Sequence, residues 1–103
     1  MKVLAAVTAA RPDRAASEVL HDEANGRVVS FHLLPGQRVP PHRSDSTVLV
    51  QVIAGSGHFR GAESEAVLSA GECAVFAPGE MHAVEAGTEP LRFVAVITPR
   101  PGG

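Results

Sequence analysis

Apolar residues along this chain come in short alternating runs. Glycine, proline, asparagine or aspartate bounds most of them, which is the pattern of an all-β sandwich or barrel. The clearest run is 47–54, where Val48, Val50 and Val52 share one parity and Leu49 and Ile53 the other; it predicts a central strand covered on both faces. Further strands are predicted at 1–8, 17–21, 27–34, 58–60, 66–68, 73–77, 81–85 and 91–97. Asn25-Gly26 lies between the second and third runs, and its tolerance of positive φ predicts a hairpin there. The Ala-rich connector 9–15 has room for one helical turn. Pro40-Pro41 removes two ladder donors, so the stretch before His42 reads as a loop or a sheet edge. Eight prolines and ten glycines leave no room for a long helix. So many short strands favour a closed or nearly closed antiparallel barrel, because closure hides edges.

The length of 103 residues bounds the chain to one domain, read as 1–98 with a flexible tail at 99–103, and 45% apolar residues suffice for one core. A net charge of −2, no Trp, no Tyr and four Phe disfavour nucleic acid as a partner. No run reaches the ~20 apolar residues of a membrane span. The opening MKVLAAVTAA has a superficial likeness to a secretory signal. Its apolar run is short, however, and continues straight into Arg11, Pro12 and Asp13. With Cys73 as the one cysteine, a disulfide within the chain is excluded and a cytoplasmic location is expected.

Two frames of fixed spacing carry the candidate chemistry. The first is Gly36, five residues, His42-Arg43-Ser44, three residues, Val48, six residues, Gly55. The second is Gly71, five residues, Ala77-Pro78-Gly79, two residues, His82, three residues, Ala86. Together they resemble the paired motifs of the cupin superfamily, which supply His-x-His and Glu from the first motif and one His from the second. The resemblance implies an all-β fold, a small antiparallel barrel or double-stranded β-helix of jelly-roll type. It also implies a metal site, of which this chain keeps only the first and last positions, His42 and His82. Ser44 stands for the second His, Val48 for the Glu, Ala77 for a Pro and Ala86 for an Asn. Two readings follow: a weakly held divalent transition metal (Zn, Fe, Mn, Ni or Cu) on a reduced two-histidine site, or a cavity with two neutral imidazoles.

Four residues are candidates to complete a metal shell: Asp45, of opposite parity; Glu80, of the same parity as His82 but in a turn; and His32 and His58, on other strands. His58 precedes Phe59, whose ring suits the interior better. Cys73 reads as a small buried hydrophobe, Arg38, Arg43 and Arg60 as solvated, and His21 as exposed. No Gly-x-Ser-x-Gly elbow surrounds Ser44, which argues against a serine nucleophile. Val48, Val50 and Val52 share the parity of His42. If the barrel closes, they line a pocket whose polar end is His42, Ser44 and His82, suited to a small organic molecule. The function expected is small-molecule binding. The alternatives are a metal-dependent enzyme of dioxygenase, isomerase or lyase type, and a non-catalytic sensing or structural module. A homodimer is expected too, because many cupin relatives pair through an edge sheet and the apolar segment 1–8 needs a cover.

Overall fold

The computed structural model describes residues 1–101. Nine strands follow in chain order: β1 (Ala16–Glu23), β2 (Gly26–Leu33), β3 (Arg38–His42), β4 (Thr47–Ala54), β5 (Ser56–Arg60), β6 (Glu65–Ser69), β7 (Cys73–Phe76), β8 (His82–Ala86) and β9 (Leu91–Thr98). They form two antiparallel sheets, one ordered β1-β2-β9-β4-β7 and the other β3-β8-β5-β6. No helix occurs among the described residues. The chain passes repeatedly between the sheets, so residues distant in sequence meet on their inner faces.

Alternation decides which side chains meet there. Val48, Val50 and Val52 of β4 are buried, and the register sets them against Phe76, Ala74, Ala95 and Phe93 of the flanking strands. Leu33 and Leu91 face each other across β2 and β9 with no exposed surface. Truncating either to Ala is expected to cost about 2–5 kcal/mol. Phe93 couples the sheets: it stacks on Phe31 at 4.6 Å and meets Phe59 of the opposite sheet edge-on at 5.3 Å. Gly55 turns β4 into β5 with φ +75°, and a Cβ there would stand 1.8 Å from the Pro90 carbonyl oxygen, so only glycine fits.

Several local expectations are corrected. Residues 1–8 form no strand, and 9–15 form no helical turn. The segment is an arm on the outer face of the five-stranded sheet, where the Ala6 and Thr8 carbonyls accept from Arg92 and from His32 Nδ1. Its own amides join no ladder, because β1 already occupies that sheet edge. The β1–β2 hairpin turns at Ala24-Asn25, and neither Asn25 nor Gly26 takes positive φ. β1 instead carries a bulge at Leu20, one extra residue that raises the local twist. β9, not β4, is the central strand, and the outer face of β4 is uncovered, with Gln51 and Ile53 exposed. Cys73, opposite Gln51 on that face, is exposed instead of buried. The proline pair lies within β3, an edge strand, as the missing donors require.

At the C-terminal end the Pro99 carbonyl accepts from Ser46 Oγ at 2.6 Å, and Arg100 Nε lies 3.0 Å from Asp22. Gly102 and Gly103, the end of the expected tail, lie outside the described residues.

Candidate functional site

The inner faces do not fill the whole space between the sheets. A cavity of about 430 Å³ remains at one end, within the range of small-molecule sites. Its walls are apolar, formed by Phe31, Phe93, Val48, Val50, Phe76 and Val84 among others. Val52 lies off these walls, buried in the adjoining core. The polar end holds His42, Ser44 and His82, with Arg43 and Asp45 at an exposed rim and Pro101 beside them.

His42 reaches the cavity because of an irregularity in β3. Val39 pairs with Val84 and His42 with His82, so β3 spends three steps where β8 spends two. The extra residue falls at Pro40-Pro41, where no amide is available to keep regular pairing. Without it, alternation from the inward Val39 would turn His42 outward. With it, the two imidazoles meet edge to face, ring centroids 4.0 Å apart. Behind them the Phe76 ring lies 5.0 Å from that of His82.

The loops that carry the two histidines are bound to each other. Gly79 N–H donates to the Ser44 carbonyl at 2.7 Å, and Arg43 Nη1 donates to the Gly79 carbonyl at 2.9 Å. Each ring is also oriented by the backbone two residues before it: Nδ1 of His42 donates to the Pro40 carbonyl at 3.0 Å, and Nδ1 of His82 to the Glu80 carbonyl at 3.2 Å. Burial and the neighbouring His42 push the His82 imidazole below its ordinary pKa, outweighing the opposing pull of its bond to Glu80. His82 is therefore neutral at pH 7, whereas His42 sits at the exposed mouth.

The other candidates lie elsewhere. Glu80 is a staple: its carboxylate accepts from Ala77 N–H at 2.9 Å and Ala62 N–H at 3.1 Å, and these two bonds hold its carboxyl below the usual carboxylate range. Gly61 makes the approach possible, since a Cβ there would stand 2.5 Å from Glu80 Oε2. His32 is on the outer face of its sheet, bonded to Thr8, and His58 is on the outer face of the other sheet, 3.3 Å from Glu65. Asp45 stands on the cavity rim, exposed. Ser44 Oγ accepts from Ser46 N–H at 3.1 Å. Arg38 and Arg60 line a separate, smaller depression with His58 and Glu85. His21 is half-buried, with Lys2 at 3.1 Å and Glu23 at 3.6 Å. Among the described residues no three His, Cys, Asp or Glu side chains gather where one ion would touch them all. Two neutral nitrogens with no anionic donor do not fit a resident transition metal, which takes three protein ligands at a catalytic zinc site and four at a structural one.

Of the aromatic residues in the cavity wall, Phe76 falls within the second motif frame, whereas Phe31 and Phe93 lie outside both. A signal for Phe31 exists in β2, where Val29, Phe31 and Leu33 share one parity. Phe93 follows the same rule in β9, alternating with Leu91 and Ala95.

Comparison with known proteins adds independent findings. The family model of the AraC-like ligand binding domain matches residues 28–102. An RmlC-like cupin protein from Desulfovibrio desulfuricans is similar in structure, with a TM-score of 0.85 and 28% identity over 97% of this chain and 98% of its own. A protein from Thermus thermophilus gives 0.87 and 26% over 92% of each chain. An uncharacterized conserved protein from Klebsiella pneumoniae, with a double-stranded beta-helix domain, gives 0.88 and 24% over 96% of this chain and 90% of that one. No curated protein matches the sequence.

Proposed function

The chain belongs to the family of AraC-like ligand-binding domains, built on the cupin fold, and from that premise we propose that it binds a small organic molecule in the cavity closed by His42 and His82. The observation that carries this reading is the cavity itself: about 430 Å³, apolar along its walls, with its polar groups gathered at one end. Such a division favours a molecule with an apolar body and a small polar head, because the body gains from burial while the head fixes orientation. Val48 and Val50 supply wall; His42, Ser44 and His82 supply the head's partners. A fragment panel read by thermal shift tests the reading. Hits are expected to raise the melting temperature of the native protein and to lose that effect in Val50→Phe. Hits unaffected by Val50→Phe would place binding elsewhere.

A metal takes no part in this reading, because the two-histidine set does not fit one. The alternative of a metal-dependent cupin enzyme needs donors that these residues do not supply. Two further proposals rest on surface features. Val96, Leu49 and Val75 form one row across the outer face of the five-stranded sheet, Val75 being 61% exposed, and the arm exposes Met1, Val3 and Val7. A homodimer covering this apolar surface is the expected state; a monomer-sized species by light scattering at micromolar concentration would contradict it. Exposed, unpaired Cys73 suits the reducing cytoplasm, and among the described residues no helix is long and apolar enough to cross a membrane.

A further inference from the structure

The hydrogen bonds that orient the two imidazoles also fix what they offer a ligand. A carbonyl oxygen only accepts, so Nδ1 of His42, bonded to Pro40, and Nδ1 of His82, bonded to Glu80, must each carry the ring proton. In a neutral imidazole that leaves Nε2 with a lone pair and no hydrogen. No described residue bonds either Nε2. Nor is any buried polar side-chain atom sealed from solvent without a partner among the described residues. His82 is only 6% exposed, so its Nε2 is open to the cavity instead of being sealed in the core. At the same end, Ser44 Oγ already accepts from a backbone amide, and the opposed charges of Arg43 and Asp45 stand outside on the rim.

Resting on the proposal that this cavity is a ligand site, we propose that its occupant is a neutral molecule with an apolar, ring-sized body and a hydroxyl that donates a hydrogen bond to Nε2 of His82. A phenol or a cyclic alcohol has this chemistry. A carboxylate does not, because its lone pairs would face two acceptors. An ether of the same shape lacks the hydrogen and would leave the Nε2 of His82 covered without a donor. Phe31 and Phe93, stacked on each other, both line the cavity and supply apolar aromatic surface against which such a body packs.

The test uses four probes of one ring size, phenol, anisole, benzene and benzoate, titrated into the native protein by calorimetry at pH 8 with chelator present. Phenol is expected to bind about tenfold tighter than anisole, the effect of one net hydrogen bond, and benzoate more weakly than benzene. In His82→Phe the preference for phenol over anisole is expected to shrink several-fold while anisole binding persists. Should that variant fail to fold, His82→Leu, closer in volume to the native side chain and equally without an acceptor, is expected to shrink the same preference. Anisole equal to phenol, benzoate the tightest probe, or a preference unchanged in every folded variant would overturn the inference yet leave the cavity a ligand site. No binding by any of the four at millimolar concentration would overturn both.

Discussion

Replacing Val50 by Phe asks whether the barrel is hollow or filled, and the sign of the stability change answers. Val50 is 3% exposed and forms part of the cavity wall. Its cross-strand neighbours are the small residues Ala74 on β7 and Ala95 on β9, so a larger side chain has open space ahead of it and no bulky residue beside it. The ring adds four carbons, worth at most about 3 kcal/mol of burial at ~0.8 kcal/mol per carbon group. Roughly 1 kcal/mol of rotamer freedom is lost in return, leaving a net gain of about 1–2 kcal/mol. Into a barrel packed solid the same ring would cost about 1–3 kcal/mol. Urea unfolding followed by circular dichroism separates the cases. With a slope of about 1–3 kcal/mol/M, the midpoint is expected to rise by roughly 0.5–1 M while the slope stays fixed. A lowered midpoint at unchanged slope would refute the hollow.

Three other outcomes follow from the same geometry. The His82 imidazole titrates below its ordinary 6.5 in the folded chain; the unfolded chain takes up the proton first, so this stability is intact above pH 6.5 and lost as pH falls through the folded value. The stability difference between native protein and His82→Gln should be level from pH 7 to 9 and shift against the native protein below 6.5; parallel curves throughout would contradict this. Gly36 and Gly55 both have positive φ, but a Cβ has free space at Gly36 and meets the Pro90 carbonyl at Gly55. Gly36→Ala should thus cost only the roughly 1–2 kcal/mol of the left-handed backbone and Gly55→Ala clearly more, and equal losses would show that the collision is not real. Elemental analysis of protein purified without chelator and supplemented with zinc should find under about a tenth of an equivalent of any transition metal. A full equivalent, lost in both His42→Ala and His82→Ala, would restore the metal site.

Spacing and turn chemistry made the fold legible. Gly55 and Pro78-Gly79 punctuate the strands where the frames require it, and the alternation of Val48, Val50 and Val52 marks the inner face of β4. The pairing of His42 with His82 was legible only through the family frame. Strict alternation within β3, followed from Val39, points His42 the wrong way. The misreadings share a cause: apolar character alone predicts burial for residues 1–8, Ile53 and Cys73, whereas partners decide it. An apolar arm finds no strand to pair with when β1 already holds the edge. Glu80 could not be read as a staple at all, because one of the two amides that it accepts from, Ala62, lies on a loop 18 positions earlier.

The proline pair in β3 has a consequence for how such a barrel changes over time. The content of the cavity here depends on the length of one edge strand as much as on the identity of its residues. Removing a single proline would carry His42 across to the solvent side while the chemical composition of the chain stayed almost unchanged. Insertions and deletions at a rim, ordinarily discounted as neutral drift, thus become a means of acquiring or discarding a polar group inside a protein whose framework never moves.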